Sequence, residues 1–358
     1  MKIVILSSAG SIHVVKWANG LVQRGVDVHI VSCHELDHDL DPRVVYHLLP
    51  IKAPFGYVLS VFSLRRLLDK LQPDLVNVHY ATGYGLLGRL CRFKPLLLSV
   101  WGSDVYEFPG KSKFHKCLLG GNLRSATGIA STSHAMAETT SKIFRHKSIF
   151  ITPFGINESV FCPAPDNKSC DELVIGTVKT LDKKYGVDVL IEAFAIIIKQ
   201  LGSTMSLRLE ITGSGPDAAK LVELVGRLGL SDKVVFHGAV KPESVPEMLN
   251  DLDIYVALSR FESFGVAILE ASSCEKPVVV SDADGPAEVT VDGITGYVVP
   301  KDNPKVAAEK LIELINDAGL RRRMGRAGRK HVLENYTWET SLCSMMDVYK
   351  KLIGKDRV

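Results

Sequence analysis

The chain is built from short, continuous apolar runs. "KIVILSS" (2–8), "VDVHIVS" (26–32), "LVNVHY" (75–80), "PLLLSV" (95–100), "GIASTS" (128–133) and "IFITPFG" (149–155) follow one another. Most are separated by segments of helical period such as "HVVKWANGLVQRG" (13–25), which Gly25 closes. Strands apolar on both faces, alternating with helices, predict parallel sheets covered on each side. Beyond "CPAPDNKSCDE" (162–172) the rhythm restarts, in "LVIGTV" (173–178), "LRLEITG" (207–213), "KVVFHG" (233–238), "IYVALS" (254–259), "PVVVSD" (277–282) and "GYVVP" (296–300). The Pro-rich stretch predicts a hinge. Two α/β, doubly wound domains are expected, at 1–165 and 170–337, facing each other across a cleft. Ligands of such sheets bind beyond the carboxyl ends of the strands.

Length agrees, since 358 residues exceed one ordinary core. A hydrophobic share of 46% with 23% charged residues is that of a soluble globular enzyme. No apolar run reaches the roughly 18 residues of a spanning helix, and "MKIVILSSAG" has the pattern of a buried strand, without a basic leader or cleavage site. The seven cysteines are scattered and never in C-x-x-C spacing, which argues against a disulfide framework and for a reducing cytosol. A net charge of +3 argues against a nucleic-acid binder. The charge is uneven: residues 1–165 hold 18 Lys/Arg against 11 Asp/Glu, or +7, and the remainder carries −4. The basic half is either ordinary surface or a face for something anionic, such as a membrane or a lipid phosphate.

Two short motifs invite a different chemistry. His34-Glu35-Leu36-Asp37-His38 is H-E-x-x-H, the zinc-hydrolase pattern, which needs a helix to put both histidines on one face. Here it follows a strand directly and Pro42 closes it, so a polar loop and no metal site are expected. "TGSGPDA" (212–218) contains G-x-G-x-x-A after a strand, the geometry of a dinucleotide turn, but "KVVFHG" lacks the acid that would hold a ribose.

The informative stretch is "LSRFESFGVAILEASSCEKPVVVSDADGPAEV" (258–289). A strand ends at Ser259, a loop carries Glu262, and "FGVAILEAS" reads as a helix containing Glu270. The two carboxylates would lie about 12 Å apart if the rise were all helical, a span comparable to that between sugar and ribose in a sugar nucleotide. Phe264, Gly265 and Val266 would offer backbone N–H groups at the helix start to a diphosphate. A pair of glutamates on a solvated face is the plainer alternative.

The motif E-S-F-G-x-x-x-x-E-A resembles the E-x7-E signature of retaining glycosyltransferases of family 4, which have the GT-B fold. The likeness extends along the chain through "SSAGSIHVVKWANGLVQRGVDVHIVS", "PDLVNVHY", "FGINESVFCP", "VKTLDKKYGVDVLIEAFA", "ITGSGP", "VVFHGAV" and "RRRMGRAGRKHVLENYTW". This resemblance implies a nucleotide-sugar-dependent transferase needing no cofactor or metal. Lys179, where the family usually has Arg, and Lys184 would bind the donor diphosphate. Glu262 would contact the donor sugar, with Ser263 beside it, and Glu270 the ribose. Val240 would meet the base through its backbone. Gly10 and Gly213 would let backbone approach the donor, and G-S-G-P becomes the family's usual turn.

Besides Lys179, the chain departs from the family at three further places. "VWGSDV" (100–105) has Trp101 where many members carry a histidine near the donor sugar. Trp cannot act as a base, which leaves Asp104 as a polar candidate with structural capping as its alternative. Tyr185 is added between Lys184 and Gly186, and the Gly-Gly before the acidic turn is Asp284-Gly285. The family implies retention of configuration through a front-face reaction.

The acceptor, a saccharide or lipid-diphosphate-linked saccharide, would enter from the first domain. "FGYVLSVFSLRRLLDKLQ" (55–72), with Arg65, Arg66 and Lys70, and "KSKFHKCLLGGNLR" (111–124), with Lys111, Lys113, Lys116 and Arg124, suit helices on anionic lipid or core helices with wet faces. The final helix, about 338–354, is expected to pack back on the first domain. A UDP-sugar is favoured over a GDP-sugar, in surface-polysaccharide synthesis. A silent GT-B scaffold and a nucleotide-sugar epimerase are the alternatives.

Overall fold

A computed structural model describes residues 1–164, 172–202 and 205–355. Much of the expected hinge, residues 165–171, lies outside the described residues, as does Cys170. The chain divides into two compact units, Met1–Pro153 with Ser341–Val358, and Phe154–Thr340.

The first unit holds seven parallel strands: β1 (Lys2–Leu6), β2 (Asp27–Ser32), β3 (Val45–Leu48), β4 (Leu75–His79), β5 (Leu96–Val100), β6 (Gly128–Ser131) and β7 (Ile149–Ile151). Their order is β3-β2-β1-β4-β5-β6-β7. The second holds β8 (Leu173–Val178), β9 (Leu207–Thr212), β10 (Val234–Gly238), β11 (Ile254–Ala257), β12 (Val278–Ser281) and β13 (Gly296–Val299), in the order β10-β9-β8-β11-β12-β13. Strand order reverses between β1 and β4 in one sheet and between β8 and β11 in the other. Helices that follow the two neighbours leave on opposite faces, and a crevice opens at the carboxyl ends.

Strand β3 is the one the apolar runs did not reveal. It lies at the sheet edge with Val45 and Leu48 exposed, so burial does not impose a strong pattern on it. The division between units falls at Phe154, ahead of the Pro-rich stretch. Residues 154–164 belong to the second unit through direct bonds. Ile156 exchanges backbone hydrogen bonds with Tyr336 and Trp338 at 2.8 Å each, Ser273 Oγ donates to the Phe161 carbonyl at 2.5 Å, and Asn250 Oδ1 accepts from the Ala164 N–H at 3.0 Å.

The last helix, Trp338–Lys355, packs on the first sheet from Ser341 onward. Asn77 in β4 donates to the hydroxyl of Tyr349 at 2.8 Å and accepts from Ser99 Oγ at 2.8 Å, so a buried amide in an apolar strand is paired. The opposite face of that sheet is covered by the helices Val61–Leu71, Gly83–Cys91 and Lys113–Ser125, through Leu64, Leu68, Leu87, Leu119 and Leu123.

Candidate active site

In the second unit the loop after β8 is locked to its neighbours by backbone. The Lys179 N–H donates to the Thr212 carbonyl and the Leu181 N–H to the Ser214 carbonyl, both at 2.9 Å. Gly213 takes φ +142, and a Cβ there would run into the Lys179 carbonyl. One at Gly215 would meet the Leu181 carbonyl. The glycines of "TGSGPDA" therefore serve close packing of two loops, which accounts for the motif without a dinucleotide. The Gly213 N–H bonds the Gly238 carbonyl at 2.8 Å, bringing the loop after β10, with Val240, alongside.

Asp182 Oδ1 accepts from the Lys184 N–H at 3.0 Å and opens the turn Lys183–Tyr185. Gly186 follows at φ +63, pressed against the Leu258 carbonyl so closely that no side chain fits. This contact sets the loop after β8 on the end of β11. The Arg260 and Phe261 N–H groups donate to the Lys184 carbonyl at 2.7 and 3.2 Å. The Arg260 guanidinium binds both oxygens of Asp188 at 2.9 and 2.8 Å, Asp302 at 2.6 Å and the Lys183 carbonyl at 2.5 Å. One arginine thus braces three loops.

Lys179 and Glu262 form an ion pair, their side chains only 8% and 11% exposed. The other Glu262 oxygen accepts from Ser259 Oγ at 2.7 Å. The ammonium groups of Lys179 and Lys184 lie 5.1 and 5.2 Å from the centre of the Tyr185 ring. The tyrosine added beside Lys184 therefore holds both cations by their attraction to its face. Glu270 is half-buried on the helix Val266–Ser273. Tyr255, wholly buried in β11, senses both carboxylates: burial, then the charge of Glu262, and more weakly that of Glu270, push its hydroxyl well above the usual tyrosine range.

The helix starts at Val266, with Gly265 as its cap at φ +108, so Glu262 belongs to the preceding loop and only part of the span to Glu270 is helical. Ser263 is half-buried in that loop. Phe264 is buried between Phe154 and Tyr336, ring centroids 6.2 and 5.9 Å away, which leaves its backbone rather than its ring for recognition. Gly285 donates its N–H to the Glu262 carbonyl at 3.0 Å, and a Cβ there would strike the Phe264 backbone. Of the two positions where the family has glycine, the one kept is the one with no room for a side chain.

The structure brings Lys179, Lys184, Glu262, Ser263, Phe264, Gly265, Val266, Glu270, Gly213 and Val240 to the open ends of the second sheet. Gly10 stands in the other unit, in the turn after β1, with Asp37 Oδ2 3.0 Å from where a Cβ would be. Sequence reasoning missed Tyr255, Ser259 and Arg260. A hydroxyl inside the apolar run "IYVALS" was the available signal for the first. Nothing local marked Arg260.

Asp104 has a different role from the one expected of a polar contact. It is wholly buried, and its carboxylate accepts N–H groups from Ala81 at 2.9 Å, Trp101 at 3.1 Å and Gly102 at 2.8 Å. It is a structural cap. The H-E-x-x-H stretch is irregular loop, not helix. His34 Nδ1 lies 2.7 Å from the Tyr84 hydroxyl and Glu35 pairs with Lys52 at 2.5 Å. The two histidines therefore share no helical face, and the zinc-hydrolase geometry is not formed.

Two family models match the chain: glycosyl transferases group 1 over residues 163–331 and glycosyl transferase 4-like over residues 2–133. Among curated relatives, N-acetyl-alpha-D-glucosaminyl L-malate synthase of Bacillus anthracis is 23% identical, covering 94% of this chain and 92% of its own. The capsular polysaccharide biosynthesis glycosyltransferase CapM of Staphylococcus aureus is 27% identical, covering 92% of each. Among solved structures, Anabaena HepE in complex with UDP superposes with a TM-score of 0.83 at 18% identity, over 98% of this chain and 100% of that one. The two parallel α/β units and these likenesses make the fold GT-B.

Proposed function

The chain belongs to the group 1 glycosyltransferases, and from that premise we propose that it transfers a sugar from a UDP-sugar, with retention, to a lipid-diphosphate-linked saccharide in surface-polysaccharide synthesis. The observation that carries the donor reading is the cluster of Lys179, Lys184 and Glu262 around Tyr185 at the β8/β11 reversal. Two ammonium groups suit a diphosphate leaving group, whose charge grows as the glycosidic bond breaks. Cations already in place stabilise that charge without reorganisation. Glu262 accepts from donor-sugar hydroxyls and Glu270 from those of the ribose. The N–H groups at the start of the helix Val266–Ser273 add partial positive charge toward the diphosphate. UDP is favoured because the similar HepE structure holds it.

In the reaction, a bond forms between the acceptor oxygen and the anomeric carbon while the bond from that carbon to the β-phosphate oxygen breaks on the same face. The acceptor proton passes to a phosphate oxygen of the leaving UDP. The lysines neutralise the phosphates, so the reading invokes no metal and no cofactor. The protein contributes orientation and charge stabilisation more than acid–base chemistry.

Support for a lipid-borne acceptor comes from the first unit. Phe55, Phe62 and Phe114 are 73%, 81% and 71% exposed, and Arg66, Lys70, Lys111, Lys113 and Lys116 are exposed beside them in the chain. Their helices cover one face of the sheet, on either side of the helix Gly83–Cys91. Apolar rings among cations suit an anionic bilayer surface, which supports the reading of an enzyme that works at the inner face of the cytoplasmic membrane. Arg65 does not share this role, because its guanidinium caps the helix Gly83–Cys91 through the carbonyls of Leu90 and Cys91, at 2.7 and 3.2 Å. Among the described residues no helix is long and apolar enough to cross a membrane.

The test supplies labelled UDP- and GDP-hexoses to the protein with a lipid extract and follows label into the organic phase. Transfer from a UDP-hexose, with the donor's anomeric configuration kept in the product, is the expected result. Transfer from GDP-hexoses alone, or an inverted product, overturns the donor or the stereochemistry. Consumption of donor without any acceptor product would point to an epimerase.

A further inference from the structure

At the amino ends of its strands the first sheet carries a cationic cavity that the transfer reaction does not use. Strands β6 and β7 begin side by side, with Ile129 in register with Ile149, so the segments leading into them lie together. One of these closes the helix Lys113–Ser125, and the other follows the helix His134–Ile143. Between them is a cavity of about 410 Å³. Arg124, Arg145 and Lys147 line it together with Thr127 and Ser148, and no acidic side chain does. From residue 108 to residue 157 the sequence has a single acid, Glu138, and Lys142 pairs with it at 2.9 Å.

The walls of the cavity are fixed before anything binds. His146 joins the two segments: its Nδ1 accepts from the Ser148 N–H at 3.0 Å and its Nε2–H donates to the Ala126 carbonyl at 3.1 Å. Thr127 Oγ1 accepts from the Leu96 N–H at 3.0 Å, which leaves its O–H to donate. The Arg124 guanidinium lies on the Phe144 ring, its Cζ 5.3 Å from the ring centre. A cation at the end of a helix often serves the last carbonyls. Here Lys94 takes the Ser125 carbonyl, and Arg124 keeps its N–H groups. Among the described residues Arg124, Arg145 and Lys147 form no ion pair. The cavity therefore presents donors and uncompensated positive charge, while both ring nitrogens of its histidine are spent on backbone.

We infer that this cavity is a binding site for a soluble polyanion with two or more phosphate groups, such as diphosphate or a bisphosphate ester. Guanidinium groups engage phosphate oxygens two at a time, and an arginine already held on a ring loses little freedom in doing so. The hydroxyls of Thr127 and Ser148 add donors from the opposite segments. The volume lies in the range of small-ligand sites and exceeds what one phosphate fills. The ligand is soluble rather than a lipid headgroup: the proposed membrane face carries exposed Phe55, Phe62 and Phe114, whereas residues 124–148 include no exposed large apolar side chain. The donor residues gather at the carboxyl ends of the other sheet, in the other unit. This site is therefore distinct from the donor site and does not depend on the reading of it.

The test is calorimetric titration of the full chain with pyrophosphate while UDP is held in excess, so that the proposed donor site is already filled. Pyrophosphate should still bind. Arg124→Gln with Arg145→Gln should weaken that binding by about tenfold or more, and leave UDP affinity unchanged. Lys147→Gln and Ser148→Ala, each by about threefold, cover the case in which the double variant fails to fold. Arg66→Gln with Lys70→Gln removes the same charge from the helix Val61–Leu71 and should leave pyrophosphate binding as it was. The inference is overturned if no pyrophosphate binds beside UDP, or if the folded Arg124/Arg145 variant binds it like wild type. An equal loss in the Arg66/Lys70 variant overturns it too, since the attraction would then be diffuse. Displacement of pyrophosphate by phosphatidylcholine vesicles carrying phosphatidate would assign the cavity to a headgroup and overturn the soluble ligand. Arg124-dependent pyrophosphate binding without any UDP binding would keep this site and remove the donor reading instead.

Discussion

The two sheets end in opposite chemistries. At the β8/β11 reversal the gathered groups are ions: Lys179 paired with Glu262, Lys184 sharing the Tyr185 face, Arg260 braced on Asp188 and Asp302. At the β1/β4 reversal they are rings and hydroxyls. His79 is held neutral, Trp101 lies on top of it, and the Asp104 carboxylate is occupied by three backbone N–H groups. The strand arrangement is of one kind, so the difference lies in the few residues that follow each strand. Preorganised charge at the β8/β11 end suits the leaving diphosphate proposed above.

Substitutions at the charged end should cost most. Glu262→Ala or Lys179→Ala should lower kcat by about 10²- to 10³-fold, as removal of a transition-state contact does. Steady-state rates on protein with unchanged circular dichroism would check this, and near-normal turnover would break the contrast between the two ends. Lys184→Ala should fall mainly on donor affinity, by about tenfold, since its partner Tyr185 remains. Gly213→Ala tests the loop packing. The added methyl meets the Lys179 carbonyl at φ +142, so stability should drop by about 3 kcal/mol, read by thermal melting.

The neutral end should show itself in pH dependence. The folded His79 pKa, about 3, lies below the ordinary 6.5, so between these values the unfolded chain binds the extra proton. The contribution of His79 is complete above pH 6.5 and is lost as pH falls toward 3, at about 1.4 kcal/mol per pH unit. Burial raises the pKa of Asp104, and its effect runs the other way, its folded form taking up the proton first. The difference between wild type and His79→Gln in urea melts at pH 7 and pH 5 isolates the histidine. The variant should show the shallower loss. The smallest effect is expected at the proposed membrane face, where Phe62→Ser with Lys70→Glu should weaken sedimentation with anionic vesicles by about 1–2 kcal/mol and with neutral vesicles by less.

Much of this was legible in the chain. Runs such as "PLLLSV" and "PVVVSD" could only be buried parallel strands, and the block from Glu262 to Glu270 carried its family resemblance within a dozen residues. What was hidden depends on partners far apart in sequence. Arg260 has its meaning from Asp188 and Asp302, and Asp104 from the Ala81 N–H. β3 escaped because an exposed edge strand imposes little pattern, and the unit boundary because residues 154–164 are held by Tyr336, Asn250 and Ser273 rather than by their own composition.

The most direct measurement is calorimetric titration of UDP and GDP into wild type and Glu270→Ala. The proposed donor site requires UDP to bind wild type more tightly than GDP does, and Glu270→Ala to weaken it by about 10- to 100-fold, the range for a lost hydrogen bond to a charged group. Equal UDP affinity in the two proteins, or no nucleotide binding by folded wild type, would contradict it.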